Sequence, residues 1–447
     1  MPDLVTPKNL HFNGKNLWFA FYNLLAVPVM FLFFRFAAVL PFRSRRLEKI
    51  KAGVAGRKNL FAGLSAQLQR CGSGPRIWIH ASSMGECEQA RPILRELQER
   101  LPHSVRVLTL FSPSAHVHLS RQNLPAEVLS YLPFDSRSNV RRFLDLVQPA
   151  AGIFIRHDLW PNFLWQARQR GVKLLLADAS VSANAKSFRH KPGVRNFNRE
   201  VFANFDWICA VSGVAAENLR DLIRHPERLL RTGDTRYDQV VFRARAGNIS
   251  QLLPEAWQTH THIFVAGSTW PSDEEVLIPA FAATRSRIPE ARMILAPHEP
   301  TAEHLQSVEK SLKTHRLTSC RLSQAFSQPA QAVVLVDRVG VLAELYGAGS
   351  VAFVGGSFGP GVHSVLEAAA HGLPVLFGPA MRNSAEAMEM EQLGLGKILR
   401  EHTEGAQILM ELFEAPARAN AWGKKCRAFV EQKTGAARSI VTLLEAI

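Results

Sequence analysis

Acidic side chains are in short supply in this 447-residue chain: 38 Asp and Glu stand against 53 Lys and Arg, a formal net charge of +15. Such a balance suits an anionic partner, whether a phosphorylated substrate, an acidic membrane surface or nucleic acid. The basic clusters have no interleaved aromatics and no nucleic-acid module is visible, so nucleic acid is set aside. Cysteine is scarce too. Cys71, Cys87, Cys209, Cys320 and Cys426 are odd in number and widely separated. That excludes zinc-ligand or redox spacing and reads as reduced thiols in a cytoplasmic compartment. No internal repeat and no low-complexity tract occurs, and no small-residue cleavage site directly follows the first apolar run, which argues against a secretory signal.

That apolar run, Leu17–Leu40, is long enough at about 1.5 Å per residue to cross a hydrocarbon layer of roughly 30 Å. Asn23, Pro28 and Arg35 make it a poor spanning helix. Arg43, Arg45, Arg46, Lys49, Lys51, Arg57 and Lys58 follow, opposed only by Glu48. A basic block after an apolar helix marks the cytoplasmic side and attracts anionic head groups. The expectation is an anchor, inserted or lying in the interface; the alternative is a hydrophobic helix packed on the protein's own core.

The remaining length has room for two domains. Residues 1–45 read as anchor and basic segment, 46–245 as a first Rossmann-like domain and 246–447 as a second, whose final helix, from about Ala417, could pack back on the first. Strands and helices alternate in both, which implies parallel sheets with ligands at the carboxyl ends of the strands. In the first, Arg76–Ala81, Val105–Phe111, Ala151–Ile155, Val172–Ala177 and Asp206–Val211 read as strands, with a helix over Cys87–Leu101. The loop after the first strand places Glu86 at a helix start, where it is either a general base for a hydroxyl or a carboxylate favoured by the helix dipole. Arg156 and Asp158 follow another strand and are either ligand contacts or a surface ion pair. A polar loop, Ala179–Arg195, carries Lys186, Arg189, His190, Lys191 and Arg195, which could meet a phosphorylated acceptor.

In the second domain, Ile263–Ala266, Met293–Ala296, Val333–Asp337, Val351–Val354 and Val375–Phe377 read as strands. Gly355, Gly356, Gly359 and Gly361 allow a sharp turn and a close ligand approach, and a helix over Ser364–Ala370 would offer its first N–H groups to a phosphate. Glu367 on its first turn is placed to accept hydrogen bonds from a ribose diol. The alternative is an ordinary strand–helix turn with an exposed glutamate, because the spacing is not that of the dinucleotide fingerprint.

Two parallel-sheet domains facing across a cleft, with a nucleotide-like site in the second, match the GT-B glycosyltransferase plan. No Asp-x-Asp pair is present, which fits a metal-independent reaction. The ordered motifs HASSMGE at 80–86, YLPFD at 131–135, DLWPN at 158–162, TGDTRYD at 232–238, GSTWPSDEE at 267–275, PHE at 297–299, GGS at 355–357 and GVHSVLEAAAHGLPVLFGP at 361–379 resemble the 3-deoxy-D-manno-octulosonic acid (Kdo) transferase family over nearly the whole chain. The resemblance implies an inner-membrane enzyme of lipopolysaccharide synthesis, on the cytoplasmic face, moving Kdo from CMP-Kdo to a lipid A precursor with inversion and without a cofactor. It assigns Glu86 as general base. It assigns substrate contacts to Ser83, Gly85, Arg156, Asp158, Ser268, Thr269, Pro297, His298, Gly340, Gly355, Gly356, Ser357, His363, Ser364 and Glu367. Arg156 stands where many members have an acid, and Pro297 where some have arginine. Alternatives are a GT-B enzyme using another nucleotide sugar and a catalytically silent membrane scaffold.

Overall fold

The structure, a computed structural model, describes residues 14–40, 44–181, 191–259 and 261–446. The chain divides into two compact units. The first comprises Met1–Arg236 with Gly435–Ile447, and the second Tyr237–Thr434.

Seven parallel strands form the sheet of the first unit: β1 Arg76–Ala81, β2 Val105–Leu110, β3 Val128–Tyr131, β4 Ala151–Ile155, β5 Lys173–Ala179, β6 Trp207–Ala210 and β7 Leu229–Arg231. Their order is β3-β2-β1-β4-β5-β6-β7. The second unit has β8 Ile263–Thr269, β9 Arg292–Pro297, β10 Ser319–Arg321, β11 Val333–Leu335, β12 Val351–Val354, β13 Val375–Phe377 and β14 Gly396–Ile398, ordered β10-β11-β9-β8-β12-β13-β14. The central strands are continuous apolar runs because helices cover both faces. One face of the first sheet buries Trp78, Phe143, Phe154 and Phe163, and the other Ile79, Ile93, Leu97 and Ile440.

Both sheets have a switch point, where successive strands depart in opposite directions and leave an open crevice at their carboxyl ends. In the first unit it lies between β1 and β4; in the second, between β8 and β12. The loops holding Glu86, Asp158, Trp270 and Gly355–Ser357 leave from those four strands.

Helix boundaries differ from expectation in three places. The helix after β1 runs over Met84–Arg100, starting three residues before Cys87, because Ser83 and Glu86 form a reciprocal capping box. The expected helix at Ser364–Ala370 is only Leu366–Ala370. The expected last helix is two, Pro416–Glu431 and Ala436–Glu445, separated by Gly435 at φ 105°. The second of these packs against Met84–Arg100 in the first unit.

The amino-terminal apolar segment is helical over Gly14–Val39, with a wide π turn at Tyr22–Ala26. Pro28 accounts for it: the residue has no N–H, and its ring would clash with the Leu24 carbonyl in regular α geometry. The turn presents Tyr22 and Asn23 to the first unit. Tyr22 donates to Asp135 Oδ2 at 2.8 Å, and the Asn23 and Asn162 amides pair reciprocally at 2.9 Å. Trp18 packs on Phe197, Phe19 on Trp165 and Phe34 on Phe134. Leu17, Phe21, Leu24, Leu25, Val29, Leu32 and Phe36 remain exposed.

Candidate functional site

At the first switch point, the chain leaving β1 turns through Ser82 and Ser83 into the helix. Glu86 Oε2 accepts from the Ser82 N–H at 2.5 Å and the Ser83 N–H at 3.3 Å, while Ser83 Oγ accepts the Glu86 N–H at 3.4 Å. Burial pushes the Glu86 carboxyl above its ordinary range against those two N–H donors, and the Asp158 charge adds to the rise. Gly85 lies beside it with open space where a side chain would stand. The carboxylate is therefore held, more basic than usual and approachable.

Asp158 comes to the same place from the loop after β4. Its Oδ2 meets His80 Nε2 at 3.1 Å, the Trp160 indole N–H at 2.9 Å and the Ser82 hydroxyl. Burial alone would raise this carboxyl, but the hydrogen bonds from His80, Ser82 and Trp160 outweigh it and hold Asp158 below the ordinary range. Two carboxyl groups at one loop are thus pushed in opposite directions, a pattern that separates a proton acceptor from a fixed charge. Arg156 has a left-handed backbone at φ 61°, and its Nε is buried without a hydrogen-bond partner among the described residues.

The motifs around this loop are largely framework. Asp135, which ends YLPFD, is fully buried and accepts the N–H groups of Asn162 and Phe163 at 3.0 and 3.1 Å, closing the start of the helix Pro161–Gln169. Burial pushes its carboxyl up to about 7. In TGDTRYD, Thr235 donates its N–H to Asp178 at 3.0 Å and its hydroxyl to both Asp178 and the Gln89 carbonyl, tying the end of β5 to the helix bearing Glu86. Arg57 departs from its expected role at a membrane surface. Its guanidinium donates to the carbonyls of Gly53, Phe111 and Leu132 and sits over the rings of Phe111, Tyr131 and Phe134. Of the basic loop, Lys186, Arg189 and His190 lie outside the described residues; Lys191 is exposed, and the Arg195 Nε is buried without a hydrogen-bond partner among those described.

At the second switch point, Ser268 has φ 54°, and Thr269 and Trp270 lead into the helix Pro271–Arg287. Trp270, His298 and His363 form a layer: Trp270 stacks on His298 at 5.4 Å, His298 on His363 at 4.3 Å, and the Trp270 indole N–H donates to His363 Nε2 at 3.0 Å. Burial first, then the His298 charge, lowers the His363 pKa. A neutral ring that accepts at Nε2 carries its proton on Nδ1. Pro297 pairs with Thr269 across β9 and β8, and the His298 N–H donates to the Thr269 carbonyl.

The glycine turn is built differently from the expected anion cradle. The Gly355 N–H donates to the Gly267 carbonyl, and the N–H groups of Gly356 and Phe358 donate to Asp273 at 2.7 and 3.0 Å. A fully buried internal carboxylate therefore takes the Gly356 N–H, one of those expected to meet a phosphate. The helix that follows is short, Leu366–Ala370, and Ser364 stands exposed ahead of it. The side chains of Ser357 and Thr269 are fully buried, Ser357 bridging the Val354 carbonyl and the Gly378 N–H, and Thr269 donating to Glu274. Both side chains shape the turn. Glu367 does stand on the first helical turn, where Arg243 reaches it at 3.4 Å and Glu344 at 3.3 Å. Gly340, at φ 87°, has open space around it after β11.

Sequence reasoning missed Asp273 and His80. The first was legible only as an acid opening a helix; the second sits inside a strand, where a histidine ordinarily packs. Among the described residues no three His, Cys, Asp or Glu side chains are grouped as a metal site.

Residues 48–239 match the model of a family described as 3-Deoxy-D-manno-octulosonic-acid transferase (kdotransferase). The chain is 28% identical over 377 residues to the 3-deoxy-D-manno-octulosonic acid transferase of Haemophilus influenzae, covering 84% of this chain and 85% of that protein. The transferase of the same name from Bordetella pertussis is 28% identical over 382 residues, covering 83% and 86%. Among solved structures, the UDP-GlcNAc 2-epimerase from Neisseria meningitidis bound to UDP-GlcNAc superposes with a TM-score of 0.60 at 15% identity, over 83% of this chain and 100% of that one. A glycosyltransferase from Rickettsia africae gives 0.53 at 10% identity, over 83% and 98%. At such identities the likeness is one of fold.

Proposed function

The chain belongs to the 3-deoxy-D-manno-octulosonic acid (Kdo) transferase family, and from that premise we propose that it transfers Kdo from CMP-Kdo to a lipid A precursor, with Glu86 as general base. Glu86 takes the proton of the acceptor's 6′-hydroxyl. The oxygen forms a bond to the anomeric carbon of Kdo as the bond from that carbon to the CMP phosphate breaks, with inversion, and CMP departs with the electron pair. The observation carrying this reading is the Glu86 carboxyl: raised by burial, fixed by two N–H groups and open on the Gly85 side. General-base catalysis by a positioned group contributes roughly 10²–10⁴-fold.

Asp158 keeps its negative charge and orients Ser82 and His80 around the base. In the second unit, His363 offers a neutral Nδ1–H, and Glu367, steadied by Arg243, accepts from the ribose hydroxyls of CMP. The exposed apolar stripe of the amino-terminal helix supports attachment to the cytoplasmic face of the inner membrane. The helix lies in the interface, because its polar side is committed to Asp135 and Asn162.

The test is Kdo transfer from freshly generated CMP-Kdo to a tetra-acylated lipid A precursor, read by mass spectrometry of the lipid. Glu86→Gln keeps a capping side chain, so it should fold normally and lose at least about 10²-fold in turnover. In the wild type, turnover should rise with pH through a pKa above the ordinary carboxylate range. Turnover of the variant within a few-fold of wild type removes Glu86 from the role.

A further inference from the structure

An apolar cavity in the first unit has no part in the chemistry above. It encloses about 740 Å³, within the roughly 300–1,000 Å³ that holds small ligands. One wall is the amino-terminal helix, through Trp18 and Phe21; another is the helix Pro192–Phe202, through Val194, Phe197 and Val201. Arg156 lines it as well. Phe21 also belongs to the exposed apolar stripe, so the cavity is continuous with the surface assigned to the membrane.

We propose that this cavity receives one fatty-acyl chain of the glycolipid acceptor, with Arg156 at its polar end for the lipid's phosphate. The inference rests on the transferase reading and specifies how its acceptor is held. Three observations converge. The lining is apolar and partly made by the membrane-facing helix itself, which suits a chain drawn from the bilayer without crossing water. Arg156 has a buried Nε lacking a hydrogen-bond partner among the described residues, and a phosphate oxygen would supply one. Arg156 also stands two residues from Asp158, whose carboxylate is bonded to Ser82 beside Glu86. A chain seated there brings the head group to the base loop.

The experiment is native mass spectrometry of the full chain in mild detergent, without donor, using three probes: a tetra-acylated lipid A precursor, its fully deacylated disaccharide phosphate, and phosphatidylglycerol of matched chain length. The wild type should retain one acylated precursor, weakening about fourfold for each methylene removed, the equivalent of ~0.8 kcal/mol. Val194→Trp and Asn198→Trp, on successive turns of one partly exposed helix face, should each weaken that binding at least tenfold with melting temperatures within a few degrees of wild type. Two positions guard against one variant misfolding. Undiminished binding in both variants, equal binding of the deacylated probe, or equal binding of phosphatidylglycerol would overturn the assignment. A protein that retains the precursor selectively yet transfers no Kdo sustains the cavity and sinks the transferase reading; transfer by a protein that fails these binding criteria does the reverse.

Discussion

Replacing Asp273 by asparagine removes one oxygen from a position where three N–H groups converge. Oδ2 accepts from Trp270 at 2.8 Å and Gly356 at 2.7 Å, and Oδ1 accepts from Phe358 at 3.0 Å. The least costly asparagine rotamer keeps its oxygen at the Oδ2 site and turns its NH₂ toward the Phe358 N–H. One hydrogen bond to a charged acceptor is then lost, about 1.5–3 kcal/mol, and two donors face each other in a buried space. The two that remain lose their charge assistance. A local cost of about 2–4 kcal/mol follows, and at 1.4 kcal/mol per factor of ten it corresponds to a fall of roughly 30- to 1,000-fold in amide protection. Hydrogen exchange resolved by mass spectrometry over residues 350–362 reads it directly, with peptides from the first unit as internal control. The same variant should weaken CMP binding at least about tenfold, because the turn would no longer be held. If the amides of Gly356 and Phe358 keep wild-type protection in Asp273→Asn, the carboxylate is not what holds the turn, and the account of the second switch point fails.

Two further outcomes are expected. A Cβ on Gly355 would lie 2.3 Å from the Ser268 carbonyl oxygen and 2.6 Å from the Thr269 Cα, both backbone atoms. Gly355→Ala should therefore destabilise by about 1–3 kcal/mol and reduce CMP affinity, as calorimetry would measure; unchanged affinity would separate β8 and β12 from nucleotide binding. Asp135 holds its proton up to about pH 7 in the folded chain and releases it near pH 4 when unfolded. The folded state binds the extra proton between those limits, so this group's contribution to stability declines as pH rises from about 4 to 7 and then levels. Tyr22→Phe removes a hydrogen bond that lowers this pKa, so the decline should extend to higher pH. Denaturant midpoints compared across pH would show it, and a wild-type profile that rises across this window relative to Asp135→Asn would refute it.

The central strands and their loops were legible because burial on both faces leaves an unbroken apolar run, as in Val351–Val354. The strands that escaped, β3, β7, β10 and β14, are the four sheet edges. They have three or four residues each and include Ser319–Arg321, and nothing in such a stretch distinguishes it from a loop until its neighbour supplies the hydrogen bonds. Glu86 and Glu367 could be placed from the strand–turn–helix pattern around them. The true start of the Glu86 helix was also written in the sequence as Ser83-x-x-Glu86. The use of Asp273 by Gly356 and Phe358 was not, since it joins positions more than eighty residues apart. Local pattern reports where a loop lies. It does not report which of its amides are already taken.

The helix Ala436–Glu445 buries Ile440 and Val441 completely among Ile79, Ile93 and Leu97. The first unit is therefore assembled from both ends of the chain, whereas Tyr237–Thr434 is contiguous. Domains generally fold as units, so the first unit, although translated earlier, cannot close before the second has all its residues. The second unit has all its residues once Thr434 has been added. The first, although made earlier, must wait with an uncovered apolar face until residues 436–445 follow.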